Sequence, residues 1–352
     1  MLINSLVSIV LVIIFSFFIL LSILFIYMLV TKLIQNNHRQ KIDQHKEELR
    51  AKVFEYLYRQ NQDILEQDWK GKQWKAMEEL FSDFADVVQG DEVQERITLF
   101  ANTHFMEKYK RNLIHRRWSI RMNSLYAIED FHLKSMVPYL LNIYEKRSLT
   151  QEERRQLLKI LVRFQTNHWG ELLKEPKWRL SEFMYRSLLG VMTESQFQVM
   201  VTNFDDFPEY IQLPVLDMIG IEGKREFFPF LENLLRISSG EKKIRILKAM
   251  NELGYSKIME WMEHVDFKES SWEERLMLSK LLGRTNHRES LLILTELLSD
   301  THYDVRNNAA KSILSIKGGA DLLYQVLETS EDRFARDMAD EWLQRGGQIR
   351  GR

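Results

Sequence analysis

An arginine returns at a near-constant interval through the C-terminal part of this chain. Arg245, Arg275, Arg306 and Arg336 stand 30, 31 and 30 positions apart. Two of them head matching runs, Val305-Arg306-Asn307-Asn308-Ala309-Ala310 and Ala335-Arg336-Asp337-Met338-Ala339. Upstream the rung loosens but persists, at Gln212, Glu182, Arg155 and Arg121. A period of roughly 31 residues sustained over roughly 200 excludes most single-core folds and predicts a solenoid of stacked supersecondary units.

The unit itself is readable. Thr150–Glu153, Ser271–Glu274 and Thr301–Asp304 have capping-box spacing, in which a hydroxyl accepts from a first-turn amide and the acid reaches back. Each rung therefore lies near the start of a helix. A second apolar-periodic run precedes it, and Pro138 and Pro229 suit helix starts, where no amide donor is missed. Two short antiparallel helices per repeat follow. Asp300, Val305, Arg306, Ala309 and Ala310 together resemble the second-helix signature of bacterial HEAT-like repeats, the type also seen in phycobilisome-lyase relatives. The resemblance implies that Asp300 and Arg306 bridge neighbouring repeats. It weakens at Gln212 and Glu182, where the arginine is missing. The repeat-stacking ladder expected from period and resemblance is Arg121, Arg155, Arg245, Arg275, Asp300, Arg306 and Arg336.

Composition supports an all-α chain, with only 5 Pro and 14 Gly in 352 residues. Having no cysteine excludes disulfides and thiolate metal sites. The formal net charge of −1 argues against a global attraction to nucleic acid, and no nucleic-acid partner is expected.

Residues 1–31 carry no charge, and Leu6–Val30 is almost wholly apolar. That run exceeds the roughly 20 residues a helix needs to cross a bilayer. A cleaved signal peptide calls for a basic start, a shorter apolar run and a small-residue cleavage site, none of which is seen. A single uncleaved transmembrane anchor is expected. Lys32, Arg39, Lys41, Lys46, Arg50 and Lys52 follow it and no basic residue precedes it, so the rest is expected in the cytoplasm. Ile42, Leu49 and Tyr56 hint at a coiled-coil seam in an otherwise ordinary helical linker. The expected organisation is an anchor over 1–31, a membrane-proximal helical linker over 32–70, a HEAT-like solenoid over 71–344 and a flexible tail over 345–352. Between residues 50 and 344 nearly everything should be helical, in helices of roughly 10–15 residues stacked as a right-handed superhelix.

Chemistry is sparse. Neither a P-loop nor G-x-G-x-x-G occurs, the nine histidines lack ligand spacing, and Glu260 with His264 reads as a surface pair. No catalytic, cofactor-binding or metal residue is expected. One segment is unusual: Lys108, Lys110, Arg111, Arg116, Arg117 and Arg121 lie within fourteen residues, interleaved with Tyr109 and Trp118. Either it paves a solvated helix face or it is a binding patch (Lys108, Lys110, Arg111, Arg116, Arg117, Trp118) for anionic lipid or an acidic partner. The whole reads as a membrane-tethered HEAT-repeat adaptor holding a membrane-associated protein, for example a polysaccharide-making glycosyltransferase. An accessory lyase or an anion-sensing regulator is the alternative.

Overall fold

The computed structural model describes residues 2–59, 69–87, 90–146, 148–164, 166, 169–175, 179–262, 267–285 and 287–350, and all regular structure among them is helical. The chain divides into two compact units, Met1–Phe164 and Gln165–Arg352.

The first unit holds α1 (Leu2–Arg59), α2 (Lys72–Val87), α3 (Asp91–His104), α4 (Met106–Leu113), α5 (Trp118–Asp130), α6 (Val137–Lys146) and α7 (Gln151–Arg163). α1 is unbroken for 58 residues, about 87 Å at 1.5 Å per residue. Its described apolar residues from Leu11 to Ile34 are mostly exposed, whereas Ile42, Leu49, Val53, Tyr56 and Leu57 are buried. α2 and α3 pack on this lower half. Two expectations change here. The seven-residue seam serves packing within the chain, and residues 42–59 belong to the folded unit rather than to a linker. Apolar spacing decides this, since a stripe of that kind must find cover. Residues 60–68, which contain Ile64 and Asp63, lie outside the described set.

An aromatic cluster fills this unit. Phe81 stacks on Phe100 at 4.2 Å between centroids. Phe105 follows at 5.7 Å from Phe100, and Phe131 at 5.9 Å from Phe105. All four are buried. His132, with φ 51°, takes the left-handed position after α5 that a glycine often fills. Its ring lies 3.0 Å from the Gln94 amide nitrogen.

The second unit holds α8 (Trp169–Lys174), α9 (Glu182–Leu189), α10 (Glu194–Thr202), α11 (Glu209–Ile221), α12 (Phe228–Ile237), α13 (Gly240–Leu253), α14 (Ile258–Met262), α15 (Trp272–Leu282), α16 (Arg288–Leu297), α17 (Tyr303–Ser315), α18 (Gly319–Thr329) and α19 (Arg333–Arg350). Alternate members α9, α11, α13, α15, α17 and α19 form one row, each packed on the next. α12, α16 and α18 back onto that row. Small residues set its tightness. Ala309 and Ala310 are fully buried, and a Cβ on Gly220 or Gly283 would come within 3.0 Å of the Ala249 or Ser312 Cα. α8 and α14, at 6 and 5 residues, are shorter than expected.

The caps differ in kind. Thr150 and Glu153 form the full box, as do Thr193 and Gln196, a pair not anticipated. Ser271 accepts from the Glu274 amide, but the Glu274 carboxylate instead meets Lys243 at 2.6 Å. Thr301 and Asp304 make no box; Asp300 accepts from the His302 amide at 2.8 Å in their place. α19 stays helical through Arg350, continuing into the tail expected from residue 345, with Arg345 paired to Glu341 one turn back.

Candidate functional site

The periodic arginines share one piece of geometry. Arg306 donates from Nη1 to the carbonyls of Asp300 and Thr301, at 2.7 and 3.0 Å. Arg121 does so to His115 and Arg116, Arg275 to Ser270, and Arg336 to Ser330. Each guanidinium thus folds back five or six residues and ties off the turn that leads into its own helix. Arginine suits this because its donors form a fixed fork. Gln212, where arginine is absent, does the same with its amide, donating to Phe204 and Phe207 at 3.0 and 2.8 Å.

The remaining donors reach across repeats. Arg121 binds Glu153 at 2.5 Å and Arg275 binds Asp300 at 2.5 and 3.0 Å. Arg306 instead lies over the Phe334 ring at 4.7 Å. Asp300 and Arg306 therefore each reach another repeat, but in opposite directions and through different partners. Arg245 departs from the pattern, pairing with Asp217, Glu182 and Glu241. Arg155 is half-buried and bonds no described residue; Glu153 and Gln156 take the buried places on α7.

Three buried carboxylates absent from the sequence-derived set organise these contacts. Asp217, with 1% of its side chain exposed, receives Arg186 at 2.9 Å, Arg245, and Lys248 at 3.5 Å. Glu129 receives Lys159, Arg163 and Gln156. Glu78 receives Lys108 and the Tyr109 hydroxyl, both at 2.7 Å. Burial alone would raise the Glu78 carboxyl, but Lys108, Lys75 and the Tyr109 hydroxyl outweigh it and hold it below the usual range. Glu129, Glu153 and Asp300 are lowered against burial in the same way by their cationic partners. Tyr109 is pushed up by burial and by the facing Glu78. A usable sequence signal existed for some of these: an acid about one period from a base, as in Arg186 and Asp217 or Arg121 and Glu153.

The basic segment divides. Lys108 is held by Glu78, Lys110 pairs with Glu107 at 2.7 Å, and Arg111 donates to the Glu107 carbonyl at 3.3 Å. Lys108 also borders a cleft of about 440 Å³ between α2, α4 and α5, together with Lys75, Glu78, Asn112 and Asn123. Arg116 and Arg117 are exposed and pair with no described acid. Trp118 beside them is 47% exposed, its ring nitrogen donating to the Thr150 hydroxyl at 3.2 Å. Among the described residues no group of His, Asp and Glu has the proximity to hold a metal; His264 of the Glu260–His264 pair lies outside them.

Residues 260–344 match the family of HEAT repeats. The C-terminal repeats are HEAT-like. No curated protein matches the chain. Among solved structures it is similar to two engineered proteins. One is 12% identical with a TM-score of 0.31, over 79% of this chain and 80% of that one. The other is 14% identical with a TM-score of 0.16, over 78% and 91%. At those scores the likeness adds nothing to the fold read from the helices themselves.

Proposed function

We propose that the chain is a membrane-tethered repeat scaffold, anchored by the upper part of α1, that holds a partner protein at the cytoplasmic face of a bilayer. The observation that carries this is the double character of α1. Part of it has a mean hydropathy of 2.6 with none of that window buried in the chain, unlike a soluble core helix. Farther along, the same helix is clamped to α2, with Arg39 on Glu79 at 2.9 Å and Lys46 on Asp83 at 2.7 Å. The first unit thereby follows the span without a hinge in the described helix.

Helical repeats offer extended surfaces suited to protein binding, and the HEAT-like segment supports that reading. The periodic arginines act in it as cement between repeats. Exposed Arg116, Arg117 and Trp118 are the surface offered to the partner, since a tryptophan beside unpaired arginines is a frequent centre of binding energy. A membrane enzyme complex, such as a polysaccharide-making glycosyltransferase, is the partner class the tether favours. Flanking lysines and arginines after the span support the cytoplasmic orientation.

Fusing a reporter enzyme that works only outside the cytoplasm to the C-terminus tests orientation: inactivity is expected, and activity reverses the topology. Purification from detergent-solubilised membranes tests the tether and the scaffold together. A chain that remains in the soluble fraction at full length ends the tethered reading.

A further inference from the structure

A second basic feature lies in the unit built from Gln165–Arg352, on the row of closely packed helices. Lys248, Lys280 and Lys311 recur at steps of 32 and 31 on α13, α15 and α17. The first of these is neutralised, since Asp217 lies 3.5 Å from Lys248. The other two have no such acid. Lys280 and Lys311 border a cleft of about 360 Å³ with Arg284, Asn251, Asn308 and Ser315, and its lining contains no carboxylate. Neither lysine forms an ion pair with a described residue.

The cleft is also oriented. Arg284 donates from Nε to Asn251 Oδ1 at 3.0 Å, which fixes the guanidinium and turns the Asn251 amide nitrogen away from it. The Asn308 amide spends one donor on the Asp304 carbonyl at 2.9 Å and keeps its second. Ser315 donates to the Ser312 and Gly283 carbonyls, at 2.7 and 3.1 Å. Glycine at 283 draws α17 close, because a Cβ there would meet the Ser312 side chain at 2.5 Å. Arg284 also borders a neighbouring cleft that holds Glu260 and Glu289, but forms an ion pair with neither.

We infer that this cleft binds a small soluble anion bearing phosphoryl groups, such as pyrophosphate or a nucleoside diphosphate. Three cations that form no ion pair with a described residue call for a multivalent anion, which a single carboxylate is not. The guanidinium fork matches phosphoryl oxygens in pairs, and ammonium groups bind them as point charges. A volume of this size suits a small molecule rather than a folded surface. The inference does not depend on the partner or the tether.

The experiment is titration calorimetry on the full chain in detergent at low ionic strength, with pyrophosphate, ADP and a hexaglutamate peptide as separate probes. Saturable binding of pyrophosphate or ADP is expected, weakening as salt is raised. ADP binding more tightly than pyrophosphate would assign a nucleotide source, and the reverse a free phosphate. Lys280→Gln with Lys311→Gln should lower affinity about tenfold or more, whereas Lys317→Gln, an exposed lysine outside the cleft lining, should not change it. Since both cleft lysines are unpaired, the double variant should keep the ligand-free melting temperature. Arg284→Gln alone serves as a second probe and should also weaken binding. Absent binding, equal affinity in the variants, or tighter binding of hexaglutamate than of either phosphate compound overturns the assignment.

Discussion

The two units solve the same packing problem with different side chains. Met1–Phe164 is cored by large aromatic rings, Phe81, Phe100, Phe105, Tyr109 and Phe131, all nearly inaccessible. Gln165–Arg352 also buries rings, among them Tyr185, Phe197, Phe204 and Phe227, but its row from α11 to α17 is held close by Ala309, Ala310, Gly220 and Gly283, with leucine, isoleucine and methionine between. The polar contacts differ in how often they recur. Buried acids lie under cations in both units, at Glu78, Glu129 and Glu153 in the first and at Asp217 in the second, but the arginine-to-turn clasp that Arg121 makes in the first unit repeats on α15, α17 and α19 in the second. Rings fill irregular space and tolerate uneven helix lengths. Small residues demand a regular pitch, because close backbones leave no slack. Regularity visible in sequence is therefore strongest where the packing is tightest.

The largest test of this contrast is Phe100→Ala. Its ring contacts Phe81, Tyr56, His104 and Phe105, so its loss should cost about 3–5 kcal/mol. Hydrogen exchange should show the loss of protection concentrated in α2, α3 and α5. Equal loss in α13 to α17 would deny that the units are built independently. Gly283→Val probes the other kind of core. The added Cβ would already meet the Ser312 side chain at 2.5 Å, giving about 1–3 kcal/mol of destabilisation by denaturant titration; a neutral result would show that the row has slack.

Arg275→Ala should rank next. It leaves Asp300, with 5% of its side chain exposed, holding only the His302 amide among its former bonds, and about 1–2 kcal/mol should be lost. The midpoint of thermal unfolding, followed by circular dichroism, reads this.

Acid separates the units further. Glu78, Glu129 and Glu153 in the first unit and Asp300 in the second have lowered carboxyls. A carboxyl lowered by folding contributes fully above its unfolded value, 4.5 for glutamate and 3.8 for aspartate, and loses that contribution as pH falls through the folded value. Below those values the first unit should lose exchange protection before the second. Simultaneous loss would remove the electrostatic half of the comparison.

The smallest effect on stability belongs to Arg116→Glu with Arg117→Glu. Exposed and unpaired, they should change stability within about 0.5 kcal/mol, yet weaken retention of the proposed partner protein in a detergent pull-down as added salt does in the unaltered chain. Full retention would leave that segment as a solvated face.

Much of the fold is legible in the sequence alone. Helical class, the period, the Thr150 cap and the long apolar start all rest on local rules, where neighbours within a few residues decide the outcome. Arg121, Arg275, Arg306 and Arg336 could be found as a set because the period repeats their surroundings. Arg155 shows the limit: it stands in phase, yet Glu153 and Gln156 occupy the buried positions on α7. Thr301 with Asp304 has the spacing of a cap, but α17 begins one residue later, with His302 at the cap position and the Asp300 carboxylate on the His302 amide.

By itself the sequence determined that the chain is helical, that it repeats about every 31 residues, and that one stretch is apolar enough to cross a bilayer. Tertiary structure alone decided which charges are buried, that residues 42–59 pack on α2 instead of linking, and that the basic cluster of 108–121 breaks into paired and free members. The reason is range. Helix period and hydropathy are summed along neighbouring residues, whereas a charge is paired or left free by groups some thirty positions away, such as Glu78 for Lys108 and Glu153 for Arg121.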